Sequence, residues 1–444
     1  MPKYDCIKDF KMKLKPHQIK AVRYLMRKDQ NGLLVSHPTG WGKTITALAF
    51  AGCFLTEYKD RKVIIVAPVS VTKSFKEYAE NLEMDLDRIE IYSYQKFSNL
   101  FNEGKIFCQG NAIIVDEVHN LRNLGTFTFL NIDTTKKDEG KESGMRAKSV
   151  LECASGTLKR LLLTATPFVN DLKDFIPIIN YIYGGHLIYK RSQVKNVEDI
   201  DKYLKRKVYY IPSSNKNSLD FPIYKEEYIK ITMPKDYERD YCSLIKGNIV
   251  NEFGFIHPKS FYNAHRRAVN KIGRSEEYFS LKIKKAVSLI RGNKSVIFSN
   301  WLEYGIEPIA KALDKEGISY SIFNGSLTEN KRSKIVKDFN KDLFQVLIVS
   351  ASGKEGIDLK GVRKLIVMDP VWNFSGMEQI RGRVIRYHSH IHLPENERNV
   401  DIYYLLLVPS KKKCISGDTV VYKFIEEKKK LQKTIDFHLK KLSI

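Results

Sequence analysis

Short runs of apolar residues recur along this chain and are separated by longer stretches with helical character. Four such runs lie in the first half, at residues 32–36, 62–67, 113–115 and 160–164. A run of this length, bounded by turn residues, is typical of a parallel strand that is buried on both faces. Residues 44–55 have the pattern of a helix. Strands that alternate with helices predict a parallel sheet with crossover helices.

The same alternation returns from about residue 278. Apolar runs at 295–299, 345–350 and 364–368 predict strands, and residues 331–340 predict a helix. The sequence therefore predicts a second parallel sheet and an α/β fold with two similar lobes.

The region between these lobes has a different character. Residues 185–275 are rich in Tyr and Lys, and prolines interrupt them, so they predict an inserted, partly helical linker. Simple packing and a basic, aromatic surface for nucleic acid are equally compatible with it. The polar stretch 133–144 predicts a surface loop. The predicted domains are 1–184, 185–275, 276–410 and a basic C-terminal helix, 411–444, whose basic face could be an ordinary solvated surface.

A glycine-rich turn follows the first predicted strand. The segment Gly40-Trp-Gly-Lys-Thr44 fits a phosphate-binding loop, in which backbone N–H groups face the phosphates, the lysine adds charge and the threonine can hold Mg²⁺. The full pattern has glycine where this chain has His37. A later strand ends in Asp116-Glu-Val-His119, which predicts a carboxylate for Mg²⁺ and another for an attacking water. Together the two segments predict an ATPase.

The charge of the chain points to a polyanionic partner. The 75 basic and 51 acidic residues give a formal net charge of +24. Nucleic acid is the partner that such an excess favours, although solubility alone can also account for abundant lysine.

Other sequence features bear on the compartment. No run of apolar residues is long enough to span a membrane, and the N-terminus lacks the pattern of a secretory signal, so the protein is expected not to be secreted. Six cysteines are scattered without C-x-x-C spacing. This spacing predicts free thiols in a reducing compartment and neither disulfides nor zinc.

The chain resembles the superfamily 2 helicases and translocases of the Swi/Snf type over almost its whole length. The residues that match the family's motifs, in the family's order, are Leu14-Lys-Pro-His-Gln18, the phosphate loop, Val66-Ala-Pro-Val-Ser70, Asp116-Glu-Val-His119, Thr164-Ala-Thr-Pro167, Gly325-Ser326, Ser350-Ala-Ser-Gly-Lys-Glu-Gly-Ile-Asp-Leu359 and Gln379-Ile-Arg-Gly-Arg-Val-Ile-Arg386. Each motif alone could arise by chance, whereas the ordered set favours the family.

The resemblance implies two RecA-like lobes, the cofactors ATP and Mg²⁺, and roles for single residues. ATP contacts are expected from Gln18 (on the adenine), Thr39, Gly40, Trp41, Gly42, Lys43, Thr44, Asp116, Gly356 and Asp358, with Thr44 and Asp116 at Mg²⁺. Catalysis is expected to involve Glu117 as the base, together with Gln379, Arg383 and Arg386. Because the two arginines are three positions apart, they are predicted to lie on one face of a helix. Nucleic-acid contacts are expected from Pro68, Ser70, Ser352 and Gly353.

A narrower resemblance lies in the second lobe. Asp369-Pro-Val-Trp-Asn373, Arg386-Tyr-His-Ser-His390 and Leu393-Pro-Glu-Asn-Glu-Arg398 are similar to the viral branch that contains poxvirus nucleoside triphosphatase I and the small subunit of the poxvirus early transcription factor. This branch implies a DNA-dependent ATPase and translocase in viral transcription or genome handling. Its expected partners are DNA, bound without regard to sequence, and a viral RNA polymerase or transcription factors. Its expected locations are the virion and the host cytoplasm, with the nucleus as a further option.

Two alternatives remain open from the sequence. One is a helicase that unwinds duplexes, which would need a strand-splitting wedge that no motif identifies. The other is a subunit of a transcription initiation factor whose ATP site gates promoter binding. The Swi/Snf-type motifs favour translocation without unwinding, and the intact Glu117, Arg383 and Arg386 disfavour an inactive ATPase.

Overall fold

A computed structural model describes residues 6–121, 139–167, 172–185, 187–188, 191–212, 220–246, 261–272, 280–350, 357–370, 374–410 and 414–444. The chain forms two compact units. Unit 1 comprises Met1–Asn215 and Leu431–Ile444, and unit 2 comprises Lys216–Lys430. None of the described helices is long and apolar enough to cross a membrane.

Unit 1 alternates strands and helices from the start, as the apolar pattern predicts. Its elements are α1 (Pro16–Leu25), β1 (Gly32–Ser36), α2 (Lys43–Glu57), β2 (Val63–Ala67), α3 (Val69–Asn81), β3 (Ile89–Ser93), α4 (Tyr94–Asn102), β4 (Ala112–Asp116), α5 (Glu139–Gly156), β5 (Lys159–Thr164), α6 (Phe175–Tyr183), α7 (Glu198–Leu204) and β6 (Val208–Tyr210). Short 3₁₀ turns at Val118–Leu121, Leu172–Asp174 and Arg191–Gln193 complete it.

The six strands of unit 1 form one parallel sheet in the order β3-β2-β4-β5-β1-β6. Because all strands run in the same direction, β1 and β4 end at the same edge, and the residues that follow them, the phosphate loop and Glu117, emerge there. Proteins with open parallel sheets of this kind bind their ligands beyond the carboxyl ends of the strands. The sheet therefore brings the two halves of the predicted ATP site to one edge.

Both faces of this sheet are covered. On one face, Leu34, Val66 and Val115 pack with residues of α4, α5 and α6, and on the other, Leu33 and Ile65 pack with α1, α2 and α3. Alternate residues of each strand thus serve opposite cores, which explains why the strands are apolar throughout. Burial of apolar surface stabilises a fold by about 25 cal/mol per Å². The two cores therefore hold in place the strands that position the site.

Unit 2 repeats the alternation with a longer edge strand. Its elements are β7 (Ile223–Thr232), α8 (Lys235–Lys246), α9 (Phe261–Ala268), α10 (Leu281–Ile290), β8 (Ser295–Ser299), α11 (Glu307–Lys315), β9 (Tyr320–Phe323), α12 (Glu329–Asn340), β10 (Val346–Ser350), β11 (Lys364–Val367), α13 (Phe374–Val384), β12 (Asn399–Val408) and α14 (Gly417–Leu442), the last of which extends into unit 1. A π turn at Leu302–Ile306 precedes α11, and a 3₁₀ turn at Glu395–Glu397 precedes β12.

The second sheet is also parallel and six-stranded, in the order β7-β12-β11-β8-β10-β9. Its core includes Ile297, Ile348, Ile366 and Leu405 from the four central strands, packed with residues of α10 and α11. The predicted fold class, two parallel-sheet lobes of α/β type, is confirmed.

The predicted linker differs from the structure in one respect. Residues 185–275 supply β6 to the first sheet and β7 to the second, so the chain divides at 215/216 and not at the ends of a separate insertion. The sequence did not reveal these strands because β6 has only three residues, and because Lys and Glu residues interrupt the apolar residues of the edge strand β7 without regular alternation. Of the predicted loop 133–144, residues 133–138 lie outside the described range and 139–144 belong to α5.

The prediction of free thiols is wrong for this structure. Its six cysteines form three disulfides, Cys6–Cys53, Cys108–Cys153 and Cys242–Cys414, and none is free. Spacing along the chain gave no hint of them, because each pair is separated by at least 45 residues and meets only through the fold.

The predicted C-terminal helix is present as α14, and it is more than a solvated terminal element. Near its start, Asp418 accepts a hydrogen bond from the buried Lys282 ammonium at 2.7 Å and another from the Leu407 N–H. Near its end, Ile435 and Leu439 are buried in the core of unit 1. Anchors at both ends explain why a lysine-rich helix is held in place.

Candidate active site

The phosphate loop has the backbone that its glycines allow. Gly40 and Gly42 have φ of 85° and 74°, in the left-handed region where a side chain would be strained. Helix α2 begins at Lys43, so the N–H groups of its first turn face the end of β1. The Lys43 ammonium donates to the His37 carbonyl at 3.1 Å. The loop is therefore folded as a cradle with its cation in place.

Helix α1 contacts this loop directly. Gln18 accepts from the Lys15 N–H at 2.8 Å and donates to the Gly42 carbonyl at 3.2 Å. A Cβ at Gly42 would lie 2.5 Å from the Gln18 amide nitrogen, so a larger residue there would displace the end of the Gln18 side chain. Gln18 thus lies beside the phosphate loop, while its expected contact with adenine stays a prediction.

The departure from the phosphate-loop pattern at His37 has a structural explanation. The His37 ring is fully buried and makes edge contacts with His17 and Tyr209, at centroid distances of 5.4 and 4.9 Å. Burial, with the charges of His17 and Lys43, holds the pKa of His37 well below its ordinary value. A neutral aromatic ring thus fills the position, and no positive φ demands glycine.

Two acidic side chains follow β4 at the same edge of the sheet. Burial, together with the neighbouring Glu117 charge, raises the pKa of Asp116. Burial also raises the pKa of Glu117, but the Lys43 ammonium and the His119 ring outweigh it and leave the pKa lowered. The Lys43 charge lowers the pKa of both carboxylates, so the phosphate-loop lysine and the acidic motif interact electrostatically.

Glu117 has an unusual backbone. Its φ of 51° places it in the left-handed region, which a residue with a Cβ adopts at a cost of roughly 1 kcal/mol or more. The buried Tyr94 hydroxyl donates to the carbonyls of both Asp116 and Glu117, the latter at 3.0 Å. Burial raises the pKa of Tyr94 well above its ordinary value, so the hydroxyl remains a donor. Tyr94, which the sequence gave no reason to select, holds this strained turn.

A further contact joins the acidic motif to the Thr-Ala-Thr-Pro segment. His119 Nδ1 lies 2.9 Å from the Thr164 hydroxyl and 3.3 Å from a Glu117 carboxylate oxygen. The Thr164 hydroxyl also accepts from the Thr166 N–H at 3.0 Å. These contacts therefore couple the position of the 164–166 turn to the position of the Glu117 side chain.

The residues present fit a nucleotide with its magnesium ion. Asp116 is a buried carboxylate beside a second carboxylate, an arrangement whose negative charge a cation would balance. No cluster of three or more His, Cys, Asp or Glu side chains that could hold a metal occurs in the described part of the chain. Mg²⁺ sites commonly use one or two protein ligands together with substrate phosphates. Asp116 and Thr44 are the residues that would hold it.

The predicted nucleic-acid contacts in unit 1 lie just after β2. Pro68 precedes the first residue of α3, and Val69 and Ser70 are exposed in its first turn. The N–H groups of an exposed helix N-terminus are suited to a backbone phosphate. In unit 2, the expected contacts at Ser352 and Gly353 lie outside the described residues, as does Gly356.

The arginine motif of unit 2 is only partly helical, which corrects one prediction. Helix α13 contains Gln379 and Arg383 one turn apart, both half-buried, but it ends at Val384. Arg386 lies beyond the helix, so the two arginines do not share a helical face. The Arg386 guanidinium donates to the Ile357 carbonyl at 3.2 Å and pairs with exposed Asp358 at the same distance. Arg386 and Asp358, both predicted site residues, are therefore neighbours.

A third arginine in this motif has a structural role that the sequence did not indicate. Arg381 is buried, pairs with Glu226 at 2.6 Å and with Glu378, and lies over the Tyr224 ring. Burial lowers its pKa, but the two carboxylates outweigh burial and raise it overall. Arg381 therefore fixes α13 to β7, and its neighbours Gln379 and Arg383 are held with it.

Each of the two units contains a segment that matches a known protein family. The SNF2-related domain family matches residues 17–209, and the helicase conserved C-terminal domain family matches residues 281–388. The two matches cover the phosphate loop, the acidic motif and the arginine motif.

Several curated proteins that are similar to this chain come from large DNA viruses. The Acanthamoeba polyphaga mimivirus protein L538, whose name describes it as an ATP-dependent RNA helicase, is 30% identical over 94% of each chain. The termination factor NPH-I homolog of African swine fever virus is 24% identical over 92% of this chain and 73% of its own. Nucleoside triphosphatase I of Melanoplus sanguinipes entomopoxvirus is 21% identical over 97% of this chain and 78% of its own.

Among solved structures, the helicase domain of Pyrococcus furiosus Hef has the same fold, with a TM-score of 0.52 at 16% identity, over 93% of this chain and 98% of that chain. The motif order is that of the helicase family, and two family models match the chain. A viral relative of nearly the same length and the two parallel sheets lead to the same conclusion. The chain therefore belongs to the SNF2-type branch of the superfamily 2 helicases and is an ATP-hydrolysing enzyme, a DNA-dependent ATPase and translocase of that type.

Proposed function

We propose that this protein couples ATP hydrolysis to movement along duplex DNA without separating the strands, in the transcription or genome handling of a large DNA virus. The observation that carries the proposal is the constellation at one sheet edge of unit 1: the phosphate loop, the two carboxylates and the His119–Thr164 contact. A binding protein with an inactive nucleotide site would not require an intact carboxylate pair at this edge, with His119 beside Glu117.

Each residue of unit 1 has a chemical task in this proposal. The backbone N–H groups of Gly42 and Lys43 and the Lys43 ammonium bind the phosphates, because they present positive charge to them. Glu117 orients the attacking water and accepts its proton. When bound through Asp116 and Thr44, Mg²⁺ supplies positive charge to the phosphate oxygens. Gln379, Arg383 and Arg386 are assigned to the same reaction from their motif.

The proposed coupling to DNA uses the Thr164–Thr166 turn. Its hydrogen bond to His119 places it next to Glu117, so a shift caused by DNA changes the position of the base. DNA itself is held through its backbone, since Ser70 lies at a helix N-terminus and the chain carries a net charge of +24.

ATPase activity is expected to rise when DNA is added, with little dependence on its sequence. Because phosphate contacts release counterions, the apparent affinity for DNA is expected to fall by at least about tenfold between roughly 50 and 200 mM salt. Steady-state ATPase titrations with duplexes of unrelated sequence, repeated at several salt concentrations, measure both effects. Stimulation by one defined sequence, with little salt dependence, would favour the initiation-factor alternative.

The same preparation distinguishes translocation from unwinding. A bound third strand should be displaced from duplex DNA in an ATP-dependent manner, while a blunt duplex stays paired. Efficient separation of the blunt duplex would instead make the protein an unwinding helicase. Stimulation by RNA alone would contradict DNA as the track.

Removing the Tyr94 hydroxyl is expected to slow turnover without weakening ATP binding. Tyr94→Phe keeps the ring in the core but releases the Asp116 and Glu117 carbonyls, so the maximal rate should fall by about five- to tenfold, as expected for one buried hydrogen bond. Initial-rate measurements separate this maximal rate from the KM for ATP, which should change by less than about twofold. The matched control is Tyr181→Phe, whose buried hydroxyl donates to Leu121 and Ala147 instead. Equal losses in both variants would reduce Tyr94 to a packing role.

The proposed partners and location follow from the viral relatives. One of them is named a termination factor, so a viral RNA polymerase or its transcription factors are the proposed protein partners, and the virion and the host cytoplasm are the proposed locations. Co-purification of viral polymerase subunits with the tagged protein from infected cells would support this assignment, and enrichment of genome-packaging proteins alone would contradict it.

A further inference from the structure

The cysteines of this chain form a complete set of pairs. Cys6 lies beside Cys53, Cys108 beside Cys153, and Cys242 beside Cys414, with Cα–Cα distances of 5.1, 5.2 and 5.8 Å. Native disulfides join Cα atoms about 4.4–6.8 Å apart, so all three pairs satisfy the backbone requirement. The partners are 47, 45 and 172 residues apart in the sequence, so local chain geometry does not bring them together.

This pairing is difficult to explain as coincidence. Six positions scattered over more than 400 residues would ordinarily leave some cysteines far from any other, yet none of the six is unpaired here. Zinc does not account for the arrangement either, because the sulfurs come in twos and the described residues contain no cluster that could hold a metal. The remaining chemistry for two adjacent thiols is a disulfide.

The positions of the bonds give them a structural purpose. Cys6–Cys53 ties the segment before α1 to α2, the helix that begins at Lys43. Cys108–Cys153 ties the segment before β4, the strand that ends in Asp116, to α5. Two of the bonds thus brace the elements that carry the phosphate loop and the acidic motif.

The third bond has the corresponding position in unit 2. Cys242 lies in α8, and Cys414 lies just before α14. The bond closes a long loop that contains every strand of the second sheet except β7. Each of the three bonds joins residues of the same unit.

We propose that the mature protein is oxidised at all six cysteines and that its three disulfides stabilise the separate units. In each step two thiols lose their protons and two electrons and form an S–S bond, while a disulfide oxidant, either a small molecule or a thiol oxidoreductase, is reduced to two thiols. The protein is therefore a substrate of dithiol oxidation, and of the two proposed locations the virion is the one where the disulfides of the mature protein persist. This inference is independent of the proposed function.

Differential alkylation of the full-length protein tests the pairing. The purified chain is equilibrated with oxidised glutathione, denatured without reductant, and treated with N-ethylmaleimide. Intact mass should show no alkylated cysteine before reduction and six after it, and peptide mapping should recover the three pairs. Six alkylated cysteines before reduction, mixed disulfides with glutathione, or another set of pairs would overturn the proposal.

Thermal unfolding tests the stabilising role. Reduction should lower the unfolding midpoint by about 5–10 °C, since a disulfide mainly restricts the unfolded chain. The double variant Cys108→Ala/Cys153→Ala should have a lower midpoint than the unaltered oxidised chain and lose a smaller part of it on reduction. The variant Ser155→Ala, with an exposed serine on the same helix, is the control and should respond to reduction like the unaltered chain. An oxidised chain with the same midpoint as the reduced chain would contradict a stabilising role.

The outcome does not depend on the ATPase assignment. Alkylation and unfolding require neither ATP nor DNA, so an inactive protein could still contain the three bonds. Conversely, a fully reduced protein that hydrolyses ATP in response to DNA would overturn this inference and leave the proposed function intact.

Discussion

Glu117→Gln is expected to bind ATP normally and to hydrolyse it about 10²–10⁴ times more slowly than the unaltered enzyme, the range that a positioned general base contributes. Glutamine preserves the shape of the side chain and its place beside His119, but it cannot accept a proton from the attacking water. Steady-state ATPase assays with saturating DNA measure the rate, and titration with a fluorescent ATP analogue measures binding.

Two controls make this result specific. Glu103→Gln changes an exposed glutamate that pairs with Lys105 at the surface, and it should leave both the hydrolysis rate and ATP binding unaltered. Lys43→Ala should lose binding as well as turnover, because the phosphates lose their principal side-chain cation. Near-normal turnover in Glu117→Gln would remove Glu117 from the role of base.

Arg386→Ala is expected to keep most of its ATP affinity and to lose about 10³-fold in the hydrolysis rate. The proposal that Arg386 stabilises charge on the transferred phosphoryl group rests on its place in the arginine motif, and an arginine in this role contributes by about that factor. Its contact with Asp358 holds the guanidinium in a half-exposed position. Single-turnover hydrolysis with excess enzyme separates the rate from ATP binding.

The control for this variant is another surface arginine of unit 2. Arg291 is exposed and pairs with Glu316, so Arg291→Ala should preserve the hydrolysis rate. Arg381→Ala is unsuitable as a control, because it would leave the buried Glu378 and the half-buried Glu226 without their cation and destabilise the fold. An Arg386→Ala enzyme that loses ATP binding but keeps its maximal rate would assign Arg386 to substrate binding instead.

Much of the fold could be predicted from local sequence patterns. Strands such as β1, β2 and β10 are apolar throughout because both of their faces are buried, so a short apolar run identifies them without further information. Edge strands give a weaker signal. Every residue of β7 is exposed or half-buried, and charged residues interrupt its apolar residues without regular alternation, so no apolar run identifies it. Its place in the sheet depends on pairing with β12, which is far away in the chain.

Some residues of the candidate site could likewise be identified from the sequence, and others only from the structure. The phosphate loop and the acidic motif are contiguous segments whose residue types are set by phosphate and water chemistry, so both could be identified by sequence alone. Tyr94 is 22 residues before Asp116 and belongs to no motif, and only the packing of α4 against the sheet brings its hydroxyl to the Asp116 carbonyl. Arg381 is the converse case. It belongs to a motif associated with catalysis, but its burial and its ion pairs with two carboxylates give it a structural role.

The sequence by itself determined the family, the nucleotide chemistry and the two-sheet architecture, because these depend on residues that are adjacent or regularly spaced. Only the tertiary structure decided which residues support the catalytic turn, where Arg386 lies after the end of α13, and that the cysteines meet in pairs. Those features depend on contacts between residues tens to hundreds of positions apart. Such contacts form only when burial of the two cores brings distant segments together, and no local pattern encodes them.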